Sequence, residues 1–137
     1  AFFENGCSAS EVDGCNNLAV LLAEGQGIKQ DLPRSAALFE RACIKLESAG
    51  ACYNLGTYYH LGQGVEKDSK RAAELYQVAC DGGIADACTN LGVLIEDGLA
   101  QSPAAKADPK LALKLFERGC QGGNALGCTN AQRLQAR

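Results

Sequence analysis

Residues 51–68 of the chain read ACYNLGTYYHLGQGVEKD, and they contain the clearest helix pattern in the sequence. Its apolar and small residues recur at i, i+3, i+4 and i+7, at Cys52, Leu55, Gly56 and Tyr59. That spacing predicts one stripe of an amphipathic helix, which we call helix A. Gly62 and Gly64 then predict the end of helix A, because glycine adopts the left-handed backbone at which many helices terminate.

The same pattern returns along the chain at a nearly constant interval. Matching segments begin at Cys15, Cys52, Cys88 and Cys128, which are 37, 36 and 40 residues apart. A second helical pattern, which we call helix B, follows each of three aspartates that we predict to be N-caps, namely Asp31, Asp68 and Asp108. Self-similarity at this period is typical of repeat proteins, so the sequence predicts a series of helix hairpins.

The expected fold is therefore all-α, an α/α superhelical solenoid of helix hairpins carrying disulfide bridges. We expect a single domain over residues 1–137. Its predicted segments are a partial helix at 1–9, repeats at 15–51, 52–87 and 88–127, and a capping helix at 128–137. The stripe of the last helix becomes polar, as terminal repeats require. The longer loop at 99–107 is interpreted as a tolerated insertion, because lengthening a loop costs little free energy.

Eight cysteines predict disulfide bridges rather than a metal site. No Cys-x-x-Cys occurs and His60 is the single histidine, so the local ligand spacing of a zinc site is missing. Two pairing registers are sterically feasible, and spacing alone does not choose between them. We prefer the one that uses all eight cysteines by crossing each B-to-A loop: Cys7–Cys15, Cys43–Cys52, Cys80–Cys88 and Cys120–Cys128. Each bridge would close a loop of about nine residues and contribute roughly 2 to 3 kcal/mol in the chain-entropy account.

Composition narrows the choice of partner and compartment. The formal charge is −3 and no basic cluster is present, which argues against nucleic acid and anionic lipid. No apolar run approaches the roughly 20 residues of a membrane-spanning helix. The cysteine content favours an oxidising compartment, so we expect a secreted or periplasmic protein. Because the chain begins at Ala1 without a methionine or a leader, we expect that an upstream segment was removed.

Several short motifs together resemble Sel1-like repeats. They are Asn54-Leu55-Gly56 in helix A, Gly62-Gln63-Gly64-Val65 in the hairpin, the Ala-x-x-Leu-Tyr of residues 72–76 in helix B, and the closing Ala79-Cys80. The paired cysteines make the chain similar to the Helicobacter cysteine-rich family of Sel1-like proteins, from Phe3 to Leu134. The resemblance implies secreted or periplasmic proteins with a superhelix related to tetratricopeptide repeats. It also implies, for some members, binding or slow hydrolysis of penicillin-type β-lactams.

The residues themselves carry little sign of catalysis. A serine β-lactamase would need Ser-x-x-Lys, Ser-Asp-Asn and Lys-Thr-Gly motifs, and the sequence contains none of them. Ser102 and Lys106 are four residues apart rather than three. The Gly-x-Gly motifs are interpreted as helix terminators rather than phosphate loops, because they lie between two helices. We predict no catalytic residue, metal ligand or cofactor, and a β-lactam-binding protein with weak hydrolase activity is the alternative function.

By resemblance to tetratricopeptide-like hairpins, helix A lines the concave face, and residues beside the stripe would face a partner. These positions are Asn16, Val20 and Ala23 in the first repeat, Tyr53, Thr57 and His60 in the second, and Thr89, Val93 and Glu96 in the third. They differ between repeats while the stripe does not. Tyr53 and His60 are the strongest single candidates, because tyrosine is favoured at interfaces.

An asparagine occupies one phase of every repeat, at Asn17, Asn54, Asn90 and Asn130. In one interpretation the amides bind an extended peptide, and in the other they tie neighbouring hairpins together. We favour the second slightly, yet count Asn17, Asn54 and Asn90 among the candidate peptide-binding residues. Helix A supplies Arg133 as its one Lys or Arg, so a clamp for a C-terminal carboxylate is doubtful. The sequence predicts a monomeric scaffold that binds a protein or peptide.

Overall fold

The computed structural model describes residues 12–25, 29–99 and 108–136. These residues form seven α-helices and no strand, which confirms the all-α class. The helices are α1 Val12–Glu24, α2 Leu32–Ile44, α3 Ala49–Leu61, α4 Ser69–Asp81, α5 Ala85–Glu96, α6 Pro109–Gln121 and α7 Ala125–Gln135. Helix A of each repeat corresponds to α1, α3, α5 and α7, and helix B to α2, α4 and α6. The predicted partial helix at 1–9, Cys7 and most of the 99–107 loop lie outside the described residues.

Side-chain caps set where several of the helices begin. The Asp31 carboxylate accepts a hydrogen bond from the Arg34 amide at 3.2 Å, and Asp108 accepts from the Lys110 and Leu111 amides at 3.1 and 3.2 Å. Both predicted N-caps are therefore confirmed. The third predicted cap, Asp68, lies directly before α4. Gly62 ends α3 with φ of 72°, which is the left-handed conformation expected from the sequence.

The chain divides into two compact units, and each is described by itself. The first ends at Asp68 and contains α1 to α3. The second begins at Ser69 and contains α4 to α7. None of the described helices combines the length and apolar character needed to cross a membrane.

Three disulfides join described residues, and each connects the end of a helix B to the start of the next helix A. They are Cys43–Cys52, Cys80–Cys88 and Cys120–Cys128, with Cα–Cα distances of 4.7, 4.7 and 4.5 Å. The register predicted across the B-to-A loops is confirmed for these three pairs. Cys15 is also disulfide-bonded, and its predicted partner Cys7 lies outside the described residues. The three described bridges indicate an oxidising compartment.

A buried polar cluster holds the three helices of the first unit together. The Ser35 hydroxyl of α2 donates to the Ala19 carbonyl of α1 at 2.6 Å and hydrogen-bonds the Tyr58 hydroxyl of α3 at 2.8 Å. Phe39 packs edge-on against Tyr58, with ring centroids 5.5 Å apart. Because one serine joins two other helices in a buried setting, the cluster fixes their mutual position.

The tyrosine in the core of α3 is Tyr58 and not Tyr59. Tyr59 was predicted to lie in the buried stripe, but it is half-buried, whereas Tyr58 is 8% exposed. Tyr59 stands in the last turn of α3 and lines an open groove with residues 65–68, so its ring keeps contact with solvent. Tyr58 is buried because α2 presents Ser35 and Phe39 on that side of the helix.

The second unit depends on small residues where its helices cross. A Cβ placed on Gly92 of α5 would lie 2.7 Å from the ring of Phe116 on α6, which is fully buried. Gly92 therefore lets α5 and α6 cross at a short distance. Larger residues would separate the two backbones.

Removing the Tyr58 hydroxyl should destabilise the protein. Tyr58→Phe keeps the ring packing but leaves the buried Ser35 hydroxyl with one fewer partner, so we expect a loss of about 1 to 1.5 kcal/mol in the free energy of unfolding. The matched control is Tyr59→Phe, which should change stability by less than about 0.5 kcal/mol because Tyr59 is half-buried. Chemical denaturation of both variants with disulfides intact measures the difference. Equal effects would contradict the assignment of Tyr58 to the core.

Adding one methyl group at Gly92 should also be costly. Gly92→Ala places a Cβ against the buried Phe116 ring, and we expect a loss of about 1 to 3 kcal/mol. Gly50→Ala is the control, because a Cβ there meets nothing nearer than the Ser48 hydroxyl at 4.0 Å. That control should be neutral or should stabilise by up to about 1 kcal/mol through the unfolded state. A Gly92→Ala protein as stable as Gly50→Ala would show that the crossing is loose.

Candidate peptide-binding surface

In the first unit, four of the predicted contact residues share α3. Tyr53, Asn54, Thr57 and His60 are all half-buried. The Thr57 hydroxyl donates to the Tyr53 carbonyl at 3.1 Å, which ties it to its own helix. His60 lies in the last turn of α3. These side chains occupy neighbouring turns of one helix, as their spacing predicted, while Asn17 lies exposed on α1.

The four repeated asparagines do not tie hairpins together through their amides. Within the described residues, the side chains of Asn17, Asn54, Asn90 and Asn130 make no hydrogen bond to another described residue. Asn17 is exposed and the other three are half-buried. The slightly favoured structural interpretation is therefore unsupported. The amides keep their hydrogen-bonding capacity for solvent or a partner.

The tie between hairpins in the first unit comes from the residue before the repeated asparagine. The Asn16 amide nitrogen of α1 donates to the Ser48 hydroxyl at 3.3 Å, and Ser48 in turn caps α3 by accepting from the Ala51 amide at 3.2 Å. The Asn16 side-chain oxygen is buried and has no hydrogen-bond partner in the part of the chain that the structure describes. Asn16 was predicted to face a partner, but it lies against the start of α3.

In the second unit, a salt bridge crosses from one helix A to the next. Arg133 of α7 donates to both carboxylate oxygens of Glu96 of α5, at 2.8 and 2.6 Å. The hydrogen bonds that Arg133 donates to Glu96, together with the negative charge of Glu96, raise the pKa of the Arg133 guanidinium above its ordinary value. A second tie runs in parallel, where Asn124 donates to Asp86 at 2.6 Å. The two pairs join residues that are 37 and 38 positions apart in the sequence.

The salt bridge decides how this surface can recognise charge. Among the described residues of α1, α3, α5 and α7, Arg133 is the one lysine or arginine. Two nitrogens of its guanidinium group already donate hydrogen bonds to the carboxylate of Glu96. A C-terminal carboxylate would have to displace Glu96 to reach it. The surface therefore offers amides, hydroxyls and carboxylates rather than an available cation.

Thr89 was predicted to face a partner, and that prediction is wrong. Thr89 is completely buried, and its hydroxyl has no hydrogen-bond partner among the described residues. A Cβ on Gly127 of α7 would lie 2.7 Å from that hydroxyl oxygen, and one on Gly119 of α6 would overlap it. The two glycines let α6 and α7 close over this side of α5. Of the other residues of α5 that were predicted to contact a partner, Asn90, Val93 and Glu96 are half-buried.

The described residues add no observation in favour of β-lactam chemistry. Ser102 and Lys106 lie outside them. Ser35 is buried and hydrogen-bonded, and Ser48 serves as an N-cap. Among the described residues there is no group of three or more histidine, cysteine, aspartate or glutamate side chains that could hold a metal ion.

The comparisons with known proteins identify the class and then the family. A family model for the Sel1 repeat matches residues 12–45, 49–84 and 85–124. The chain is thus a helical-repeat protein, and it belongs to the Sel1 repeat family. This confirms the resemblance seen in the sequence. No curated protein shows significant sequence similarity to the chain.

Three solved structures are similar to this chain over nearly its full length. A Sel1 repeat protein from Oxalobacter formigenes is 22% identical with a TM-score of 0.81, covering 90% of this chain and 47% of that one. A protective antigen of uropathogenic Escherichia coli with an SLR fold is 22% identical with a TM-score of 0.89, covering 98% and 28%. Helicobacter pylori cysteine rich protein B is 30% identical with a TM-score of 0.68, covering 93% and 88%. The chain therefore spans less than half the length of the first two proteins.

The burial of Thr89 can be tested by removing its hydroxyl group. Thr89→Val keeps the shape of the side chain and removes a buried polar group without a partner, so we expect a gain of about 1 kcal/mol in the free energy of unfolding. Thr129→Val is the matched control at the same position of the last repeat, because Thr129 is exposed and donates to the Ala125 carbonyl at 3.1 Å. That variant should be neutral or slightly less stable. Denaturant titration measures both, and a destabilised Thr89→Val would contradict the burial of an unpaired hydroxyl.

Proposed function

We propose that the chain is a scaffold that holds a peptide, or an extended segment of a partner protein, against the exposed parts of its A helices. It acts as a monomer in the periplasm or outside the cell. The family supports this proposal, since Sel1 repeat proteins generally mediate protein interactions. The oxidising compartment indicated by the disulfides supports the location.

One observation carries the proposal, namely the contrast between two sets of residues on the same helices. The repeated leucines, Leu18, Leu55 and Leu91, are no more than 5% exposed. The residues five positions further along are Ala23, His60 and Glu96, which differ in all three repeats and are half-buried. A constant buried side with a varied exposed side suits a shared framework that presents an individual binding surface.

The character of these residues suggests what kind of segment would bind. The asparagines Asn17, Asn54 and Asn90 offer both amide donors and carbonyl acceptors, which match the backbone of an extended peptide. Arg133 is engaged by Glu96, so recognition of a terminal carboxylate is disfavoured. The acidic residues Glu24 and Asp86 of the A helices, which make no salt bridge in the described residues, favour neutral or basic side chains in the partner.

The test compares two double variants within the first unit. Asn54→Ala with His60→Ala alters the α3 surface, while Glu40→Ala with Arg41→Ala alters exposed residues of α2 without changing the net charge. A crosslinking pull-down from the source cell identifies proteins captured by the native chain. The affinity of the purified partner is then measured for both variants after circular dichroism and a disulfide assay confirm their folding.

We expect the α3 double variant to bind about ten-fold or more weakly, because truncating a contact residue at an interface often costs 1 kcal/mol or more. The α2 variant should retain native affinity. Equal affinities for both variants, or a larger loss in the α2 variant, would contradict the assignment of the surface to helix A.

A further inference from the structure

The three disulfides that join described residues have the same position in their repeats. In each, the first cysteine is the second-last residue of helix B and the other is the fourth residue of the next helix A. Their Cα–Cα distances differ by no more than 0.2 Å, being 4.7, 4.7 and 4.5 Å. Differences in chemical reactivity among the three must therefore come mainly from their surroundings.

The surroundings of Cys120–Cys128 differ from those of the other two pairs. Cys43, Cys52, Cys80 and Cys88 are 7%, 1%, 1% and 4% exposed. Cys120 and Cys128 are both partly exposed. They lie in an open groove of about 290 Å³ whose walls all belong to α6 and α7, formed by Glu117, Cys120, Gln121, Cys128, Ala131, Gln132 and Gln135.

The helices of the second unit show why one pair is covered and the other is open. Arg118 of α6 extends back over the end of α4, where it donates to the Cys80 carbonyl at 3.3 Å and pairs with Asp81 at 3.5 Å. The Arg118 side chain of α6 therefore lies across the Cys80 end of the Cys80–Cys88 bridge. Over the groove at Cys120 and Cys128, no described residue of another helix takes part in the lining.

We propose that Cys120–Cys128 is a thiol-exchange site, at which a small thiol from solution attacks the folded protein. The reagent thiolate bonds to one cysteine sulfur, the S–S bond breaks, and the other cysteine leaves as a thiolate that takes up a proton. A second thiol then releases the first as its own disulfide. Two reagent thiols are thus oxidised and one protein disulfide is reduced to two thiols. Exchange of this kind requires that the attacking sulfur reach the bridge, which burial prevents at the other two pairs.

The groove also predicts which thiols react best. Glu117 is its one charged residue, and Gln135 donates to the Glu117 carboxylate at 3.3 Å. The remaining polar residues are the neutral amides Gln121, Gln132 and Gln135. A carboxylate beside the bridge repels an anionic thiol and attracts a cationic one. The site therefore favours uncharged or positively charged thiols over negatively charged ones. This inference is independent of the proposed scaffold function, because it concerns the groove between α6 and α7.

The experiment uses the intact native protein under folding conditions. It is exposed for increasing times to cysteamine, mercaptoethanol or mercaptoethanesulfonate, then quenched with acid, alkylated and digested with trypsin for mass spectrometry. Cys120 and Cys128 fall in one tryptic peptide, residues 119–133, and Cys80 and Cys88 in another, residues 72–106. The buried bridges thus serve as controls within the same molecule.

Cys120–Cys128 should open about ten-fold or more faster than Cys43–Cys52 and Cys80–Cys88, at a rate that rises with thiol concentration. Cysteamine should be the fastest reagent and mercaptoethanesulfonate the slowest, after correction for thiolate fraction. Glu117→Gln should reduce the difference between those two reagents by about two- to three-fold and leave the buried bridges unchanged. Simultaneous opening of all three bridges, at a rate independent of thiol concentration, would overturn the proposal, because it would mean that unfolding controls access. Faster opening of either buried pair would overturn it as well.

Discussion

A disulfide fixes each described junction from a helix B to the next helix A, and it sets how consecutive helices can pack. Three such bridges join described residues, and each spans a sequence separation of 8 or 9 residues. In the chain-entropy account, each contributes roughly 2 to 3 kcal/mol by restricting the unfolded chain. Each bridge also fixes the end of one helix against the start of another. Consecutive helices therefore meet at a defined point, and their crossing has little freedom left.

The bridges complement a core that is built largely from small residues. Among the described residues, the alanines that are no more than 2% exposed are Ala19, Ala36, Ala42, Ala51, Ala72, Ala79, Ala87 and Ala112. Alanine buries little apolar surface, so each contributes less hydrophobic free energy than a leucine or phenylalanine would. Small residues, including glycine, also let neighbouring helix backbones approach closely. Gly92 lies against Phe116 in this way, and Gly127 lies against Thr89. Such crossings tolerate added volume poorly, because protein interiors are densely packed.

A framework of this kind suits a protein that presents side chains to a partner. Residues on a rigid helix lose less conformational entropy on binding than residues on a mobile loop, so more of the contact energy appears as affinity. The A helices have one constant side for packing and a second side that varies between repeats. The Glu96–Arg133 salt bridge links α5 to α7 and removes the one cationic group that their described residues could offer to a ligand. The same salt bridge thus holds two helices together and, in the proposed function, disfavours the binding of a carboxylate.

Local patterns in the sequence are enough to predict the helix hairpins, the caps at Asp31 and Asp108 and the terminator at Gly62, because these follow from spacing and from the conformational limits of single residues. Spacing left two disulfide registers open, and the preference for the register that uses all eight cysteines is confirmed for the three described bridges. Which side of each helix is covered depends on tertiary packing. Tyr58 rather than Tyr59 is buried because Ser35 and Phe39 of another helix lie beside it, and Thr89 is buried because two glycines let α6 and α7 approach. Periodicity gives one buried stripe per helix, whereas a helix inside a repeat array is covered by more than one neighbour, and the added coverage depends on distances that no single helix encodes.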